Sequence, residues 1–289
     1  MAALTLTDLD SRPELASAVL GLYRLCPPGS RHLVCGIPER IALPPEAPDL
    51  RAVLGVLLAV DGIRPLGAIA ICPYSDDQVT LWGPALAAGA HPATVARLLL
   101  DEVRRALRDG GWSSMRTLID VRNREVRTLM QSLGFAAWKD ALVLERALAG
   151  VGDADPGGVR TAARADHEAV AAVFADAFPD SDHWQANLVR REDEGYRHYL
   201  LAEDGVVRAA AAVRGGAPRA WLKLVGVDRR HRRRGLARRL LNGVLAIEAR
   251  RGTRALGLEV LADNGDALAL YQRVGFTRTL TASVLVAPV

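Results

Sequence analysis

The densest basic run of the chain, Arg229, Arg230, His231, Arg232, Arg233 and Arg234, followed by Arg238 and Arg239, ends an apolar segment, Trp221 to Val227. In Val225-Gly-Val-Asp-Arg-Arg-His-Arg-Arg-Arg-Gly-Leu-Ala237 a short glycine-containing loop therefore joins a strand to a helix. Such a loop presents the unpaired N–H groups of the first helical turn, and the positive end of the helix dipole, to an anion. Gly235 has no Cβ and permits close approach of a ligand, Ala237 keeps the first turn narrow, and the arginines add charge-assisted hydrogen bonds. A pyrophosphate fits that description. The bland reading of the same run is a solvated basic face or a disordered arm.

Two other residues stand out by type. Glu259 is the only acid in the run Ala255 to Ala262, a strand apolar on both faces. Burying a lone carboxylate there is costly unless its face opens on a substrate cleft, where it can take a proton; the alternative is an acid at an exposed strand edge. Tyr271 lies beside Leu268 and Leu270 on an apolar helix. Its phenol is either a core group or a proton donor.

The elements that must position these residues occur twice. NREVRTLMQSLGF, Asn123 to Phe135, aligns without a gap on NGDALALYQRVGF, Asn264 to Phe276, at an offset of 141, and upstream Leu99, Leu100 and Val103 fall on Leu240, Leu241 and Val244. A turn-rich stretch holding Gly150, Gly152, Asp153, Pro156, Gly157 and Gly158 reads as a linker. The expected organisation is a domain over 1–150, a linker over 151–158 and a domain over 159–289. The second copy reads as a strand at Val159 to Thr161, a helix from Asp166 capped by that aspartate, and a helix from Ser181 to Glu194. Strands at Tyr199 to Glu203 and Val206 to Arg214, joined by an Asp204-Gly205 turn, follow, then a strand at Trp221 to Val227. A long helix, a strand at Ala255 to Leu261, a short helix from Gly265 and a last strand complete it. The first copy follows the same plan around a proline-rich insertion, Pro38 to Pro48.

Arg232-x-x-Gly235-x-Ala237 resembles the acyl-CoA-binding signature of the GCN5-related N-acetyltransferases (GNATs). Asn264-x-x-Ala267-x-x-Leu270-Tyr271-x-x-x-Gly275-Phe276 resembles the second signature of that family at the expected distance. The resemblance covers Val159 to the last residue. It implies an α/β fold of the α+β type: two GNAT-like domains, each a mixed, mostly antiparallel sheet with a splayed pair of parallel strands flanked by helices. It also implies acetyl-CoA as cosubstrate and no metal. Val225, Gly226 and Val227 would hold the pantetheine arm and thioester, Arg232, Arg233, Arg234, Gly235, Leu236, Ala237 and Arg238 the pyrophosphate, and Asn264 with Ala267 the arm. Glu259 would deprotonate the acceptor and Tyr271 would protonate the leaving thiolate. His183, His198 and Glu203 are weaker alternatives for the base, and Trp184 and His183 are candidates to line the acceptor pocket.

At the offset of 141 the first copy replaces Arg232 by His91, Arg233 by Pro92, Gly235 by Thr94, Glu259 by Leu118 and Tyr271 by Met130. Chemistry is lost while packing positions survive, so the first copy reads as degenerate. The acceptor expected is a small-molecule amine or a peptide N-terminus. Competing readings are a catalytically silent CoA-binding sensor and a nucleic-acid-binding protein using the Arg229–Arg239 run. A net charge of +4 and 5% aromatics argue against the last. With 50% hydrophobic and 24% charged residues in 289, a disordered or collagen-like chain is excluded. Cys26, Cys35 and Cys72 form no CxxC pair and no even framework, the acidic start resembles no signal peptide, and the apolar stretch Val53 to Val60 is too short for a span of roughly 20 residues. A soluble, cytoplasmic protein is the expectation.

Overall fold

The computed structural model describes residues 4–25, 54–75, 77–88, 91–179 and 183–289. The proline-rich insertion, Cys26, Cys35 and Ser181 lie outside the described residues. The chain forms two compact units, Met1–Ala141 with Leu280–Val289, and Leu142–Thr279.

The first unit contains β1 (Thr5–Asp8), α1 (Ala16–Leu25), β2 (Gly55–Asp61), β3 (Arg64–Pro73), β4 (Gln78–Leu86), α2 (Pro92–Asp109), β5 (Ser114–Asp120), α3 (Arg124–Ser132) and the start of β6 (Ala136–Ala147). The second contains the end of β6, then β7 (Val159–Thr161), α4 (His167–Ala177), α5 (Trp184–Asp193), β8 (Tyr196–Glu203), β9 (Val206–Gly216), β10 (Arg219–Val227), α6 (Leu236–Arg250), β11 (Ala255–Leu261), α7 (Gly265–Arg273) and the start of β12 (Thr277–Pro288). Within the units the strand orders are β1-β2-β3-β4-β5-β12 and β7-β8-β9-β10-β11-β6. Among the registered pairs all are antiparallel except β4 with β5 and β10 with β11. This is the mixed, mostly antiparallel architecture expected from the sequence.

Both parallel pairs come apart. Pairing covers Gln78–Leu81 with Ser114–Thr117, and Arg219–Leu222 with Ala255–Leu258, then ends although β4 continues to Leu86 and β10 to Val227. A register shift against the antiparallel neighbour accompanies each break: β4 has an extra residue between Trp82 and Ala85, opposite Ala68–Ala70 of β3, and β10 one between Leu222 and Leu224, opposite Ala212–Val213 of β9. A bulge adds local twist and turns the rest of a strand away from one neighbour while pairing with the other resumes.

Under a shift of 141 residues β4 falls on β10, β5 on β11, α3 on α7 and β6 on β12, end for end. The shared letters have structural reasons. Asn123 and Asn264 are N-caps whose side chains accept from Val126 N (3.3 Å) and Ala267 N (3.2 Å). Gly134 and Gly275 have φ of 93° and 91°, a conformation suited to glycine. Around them Phe135 N reaches Met130 O (3.1 Å) and Phe276 N reaches Tyr271 O (3.0 Å), closing the same glycine C-cap on α3 and α7. Both phenylalanines are buried, as are Leu99, Leu100 and Val103 and their partners Leu240, Leu241 and Val244.

One expectation changes. Asp166 precedes α4 but its side chain does not cap it; the carboxylate turns back onto Arg160 and Ala163 N, where a bidentate guanidinium outcompetes a single helix N–H. The compact units exchange their last strands. Residues 280–288 pair along β5, from Ala282 opposite Asp120 to Pro288 opposite Ser114, and so belong to the first unit. Leu144 and Leu148, in turn, join the core of the second unit. A fragment comprising 159–289 should therefore be aggregation-prone and show little cooperative unfolding, whereas one comprising 142–279 should unfold cooperatively in urea with lower midpoint than the intact chain; equal behaviour of the two fragments would contradict this strand assignment.

Candidate active site

The parting of β10 from β11 opens a cleft of about 630 Å³ in the second unit, lined by Val225, Val227, Arg232, Gly235, Ala237, Asn264 and Tyr271 among others. The bulge sets which side chains reach it. Leu222 packs with the cluster under α6, Leu224 with the cluster under α4, and beyond the phase change Val225 and Val227 face the α6 side.

The loop that follows is shaped by Asp228. Its carboxylate accepts from Arg230 N (3.0 Å), Arg208 (3.0 Å) and His231 Nδ1 (2.8 Å). Burial alone would raise this carboxyl, but those donors hold it below the ordinary carboxylate value. Arg233 (φ 65°) and Gly235 (φ 79°) then take left-handed conformations that swing the chain into α6. The helix starts without a side-chain cap, and its first bond runs from Arg239 N to Gly235 O (3.0 Å). The N–H groups of Leu236, Ala237 and Arg238 thus emerge from the first turn with no intrahelical acceptor. A Cβ at Gly235 would meet nothing within 4 Å. The space over the helix start is open, and the site offers an anion backbone donors, the helix dipole and exposed guanidinium groups together.

The first unit is built differently at the same place. Its α2 begins at Pro92, with His91 at the cap, so the stretch that forms the arginine loop in the second unit is partly a helical turn in the first. The offset equates Gly235 with Thr94, yet Thr94 sits inside the first turn and His91 holds the cap position. Pro92 at the helix start has no N–H to offer. Leu118 and Met130, at the positions of Glu259 and Tyr271, are buried core residues.

Tyr271 lines the cleft, its ring 5.8 Å from that of Phe276. Burial pushes its pKa up to about 12, so the phenol stays protonated at neutral pH. Glu259 is half-buried on β11 and does not line the cleft. Leu258 and Val260, its strand neighbours, join the core under α6, so alternation directs Glu259 to the other face, the one on which a Cβ at Gly257 would strike the Trp221 ring. Gly226 and Arg234 also lie outside the lining. Gly226 has its own packing reason: a Cβ there would come within 3.1 Å of both Ala177 and Phe174 on α4.

Of the weaker candidates, Glu203 is paired with Arg239 (2.6 Å), and Trp184 is buried against Phe174 and Phe178. His183 is exposed at the cap of α5 and His198 is buried beneath α4 and α5; neither lines the cleft. The sequence reading missed Phe178, His231 and Arg273, which do line it. His231 was signalled by its place in the basic run, whereas Phe178 and Arg273 carry no local pattern that marks them.

Comparison with known proteins agrees with this geometry. Residues 162–276 match the acetyltransferase (GNAT) family. The chain is 35% identical over 102 residues to the [ribosomal protein bS18]-alanine N-acetyltransferase of Escherichia coli strain K12, covering 35% of this chain and 67% of that protein. It is 36% identical over 132 residues to the N-alpha-acetyltransferase RimI of Mycobacterium tuberculosis, covering 44% of this chain and 82% of that one. A solved tandem GNAT protein from the clavulanic acid biosynthesis pathway shares the fold across 99% of this chain and 98% of its own, with a TM-score of 0.67 and 15% identity. On these matches and the fold they share, the chain belongs to the acetyltransferase (GNAT) family.

Proposed function

We propose that the second unit transfers the acetyl group of acetyl-CoA to a primary amine, and that the amine is a peptide or protein N-terminus. The observation that carries the reading is the uncapped start of α6, opening beside Arg232, Arg233 and Arg238 into a cleft that runs to Tyr271. The acceptor class rests on the two relatives named as N-terminal or alanine N-acetyltransferases. A small-molecule amine is the second reading, on the same chemistry.

When bound, acetyl-CoA supplies the thioester. Leu236, Ala237 and Arg238 N–H groups with the neighbouring guanidiniums would hold its pyrophosphate, and the edge of β10 from Val225 to Val227, where Val227 O accepts from Arg232 Nε (3.2 Å), would hold the amide-bearing arm. Asn264 spends its carbonyl oxygen on the cap of α7, so its amide NH₂ is what remains for the arm. The strands part over their outer halves, and the cleft is lined both by Tyr271 and by Ala177 and Phe178 from the α4 side. An amine approaching from the Trp221 and Glu259 face would meet the thioester presented from the Tyr271 face. Glu259 would take the ammonium proton. A phenol at about 12 is a weaker acid than an ordinary thiol, near 8.5, so Tyr271 would act mainly by hydrogen-bonding the departing sulfur as charge develops there. The first unit, which lacks the loop and both side chains, would have a structural role.

Calorimetry with acetyl-CoA should give one site per chain; two comparable sites would overturn the assignment of a degenerate first copy. Gly235→Ala places a methyl group over the helix start and should weaken acetyl-CoA binding by about tenfold or more, with a stability cost of about 1 kcal/mol from the left-handed backbone. Unchanged affinity would remove the pyrophosphate assignment.

Proton transfer has its own signatures, read in a coupled assay of thiol release with an N-terminal peptide. Glu259→Gln should lower turnover about 10²-fold at similar acetyl-CoA affinity. Tyr271→Phe should lower turnover and leave the unfolding midpoint nearly unchanged. Because burial raises the Tyr271 pKa, the wild-type rate should show no alkaline decline up to about pH 10. A normal rate in Tyr271→Phe would assign that ring to packing alone.

A further inference from the structure

On the side of the second sheet away from α6, three residues from separate elements converge. His167 opens α4, Glu192 lies near the end of α5, and His198 comes from β8. His167 Nε2 is 2.8 Å from Glu192 Oε1, and His198 Nδ1 is 3.8 Å from the same oxygen. One donor atom from each residue lies within 4.8 Å of the other two. None of them faces the cleft.

His198 is the anomaly. It is 1% exposed, among Phe174, Leu200 and Ala212, and neither ring nitrogen has a hydrogen-bond partner. An unpaired buried polar ring is costly, and a core position of this kind is ordinarily apolar or satisfied.

We propose that His167, Glu192 and His198 form a binding site for a divalent transition metal of the zinc class. An ion with bonds of about 2.0–2.2 Å sets tetrahedral donor atoms about 3.3–3.6 Å apart, between the two separations from Glu192 Oε1 found here. Two imidazoles and one carboxylate are a zinc-type set, and three protein ligands leave a fourth position for water. Glu192 is 38% exposed, so an ion has a route in from solvent. The ion would tie the start of α4 and the end of α5 to β8. Its role is structural: it would secure the helix whose far end supplies Ala177 and Phe178 to the cleft.

The test uses the full-length chain, stripped with a chelator and titrated with Co²⁺ and, separately, Zn²⁺. Visible absorption of a four-coordinate cobalt site should saturate at one ion per chain, and Zn²⁺ should raise Tm by several degrees. Glu192→Gln removes one ligand at a partly exposed position, and His198→Leu replaces the buried ring with an apolar side chain. Both should fold when metal-free, shown by an unchanged far-UV spectrum and a cooperative melt, and both should lose the cobalt absorption and the zinc-dependent shift. Absence of both signals in the wild-type chain would overturn the proposal. So would their persistence in both variants, which would place binding on other side chains.

Discussion

The candidate site of the second unit depends on the point at which a parallel pair of strands stops pairing, a break that the first unit shares. Beyond Leu222 and Leu258 the edge of β10 toward β11 loses its ladder, while the edge toward β9 keeps it to Val227. Backbone donors and acceptors left so are tolerated only if water or a ligand meets them. The bulge that accompanies the break also resets side-chain alternation, turning Val225 and Val227 toward α6 and its arginine-bearing approach. One extra residue in a strand thus creates the gap and chooses its walls.

The two copies separate what folding requires from what chemistry requires. Both keep an asparagine cap, a left-handed glycine and a buried phenylalanine around the short helix, because those residues start the helix, stop it and pin it. Three turns of α2 and α6 keep the same apolar face. Differences include the loop before the helix and the positions of Glu259 and Tyr271. In the first copy those two positions hold Leu118 and Met130, which fill core space. The buried Glu248, bound by Arg197, Tyr199 and Thr253, marks the second copy's private interior in another way, since its charge is satisfied wholly by neighbours from β8 and the end of α6.

Local pattern in the sequence was enough to locate most elements of the second unit. β7, β11 and α7 stand where alternation, capping and glycine placed them, and Asp204 and Gly205 take the two positive φ angles that their turn needs. The repeat was legible over its last fifty-odd residues and in fact extends back through β4 and β10, where the amino acids differ but the lengths do not. What escaped is non-local. Nothing in the composition of residues 280–288 says that they will lie along β5, because any apolar strand of that length could pair with several edges. The basic loop was recognisable since its function lies in the backbone and in a contiguous run. The face of Glu259 was not, because a period of two fixes which neighbours share a side but not what covers that side.

The exchange of final strands has a consequence for how the chain is made. During synthesis a domain ordinarily folds once its own stretch of sequence has emerged. Here β5 can acquire its neighbour in the first unit only after residues 282–288 have been polymerised, long after the rest of that unit is available. Until then the nascent first unit carries an open apolar edge at Met115, Leu118 and Ile119. An early portion of the polypeptide thus waits for a much later one, and a ribosome that stalls between residues 279 and 288 leaves the first unit, not the second, unfinished.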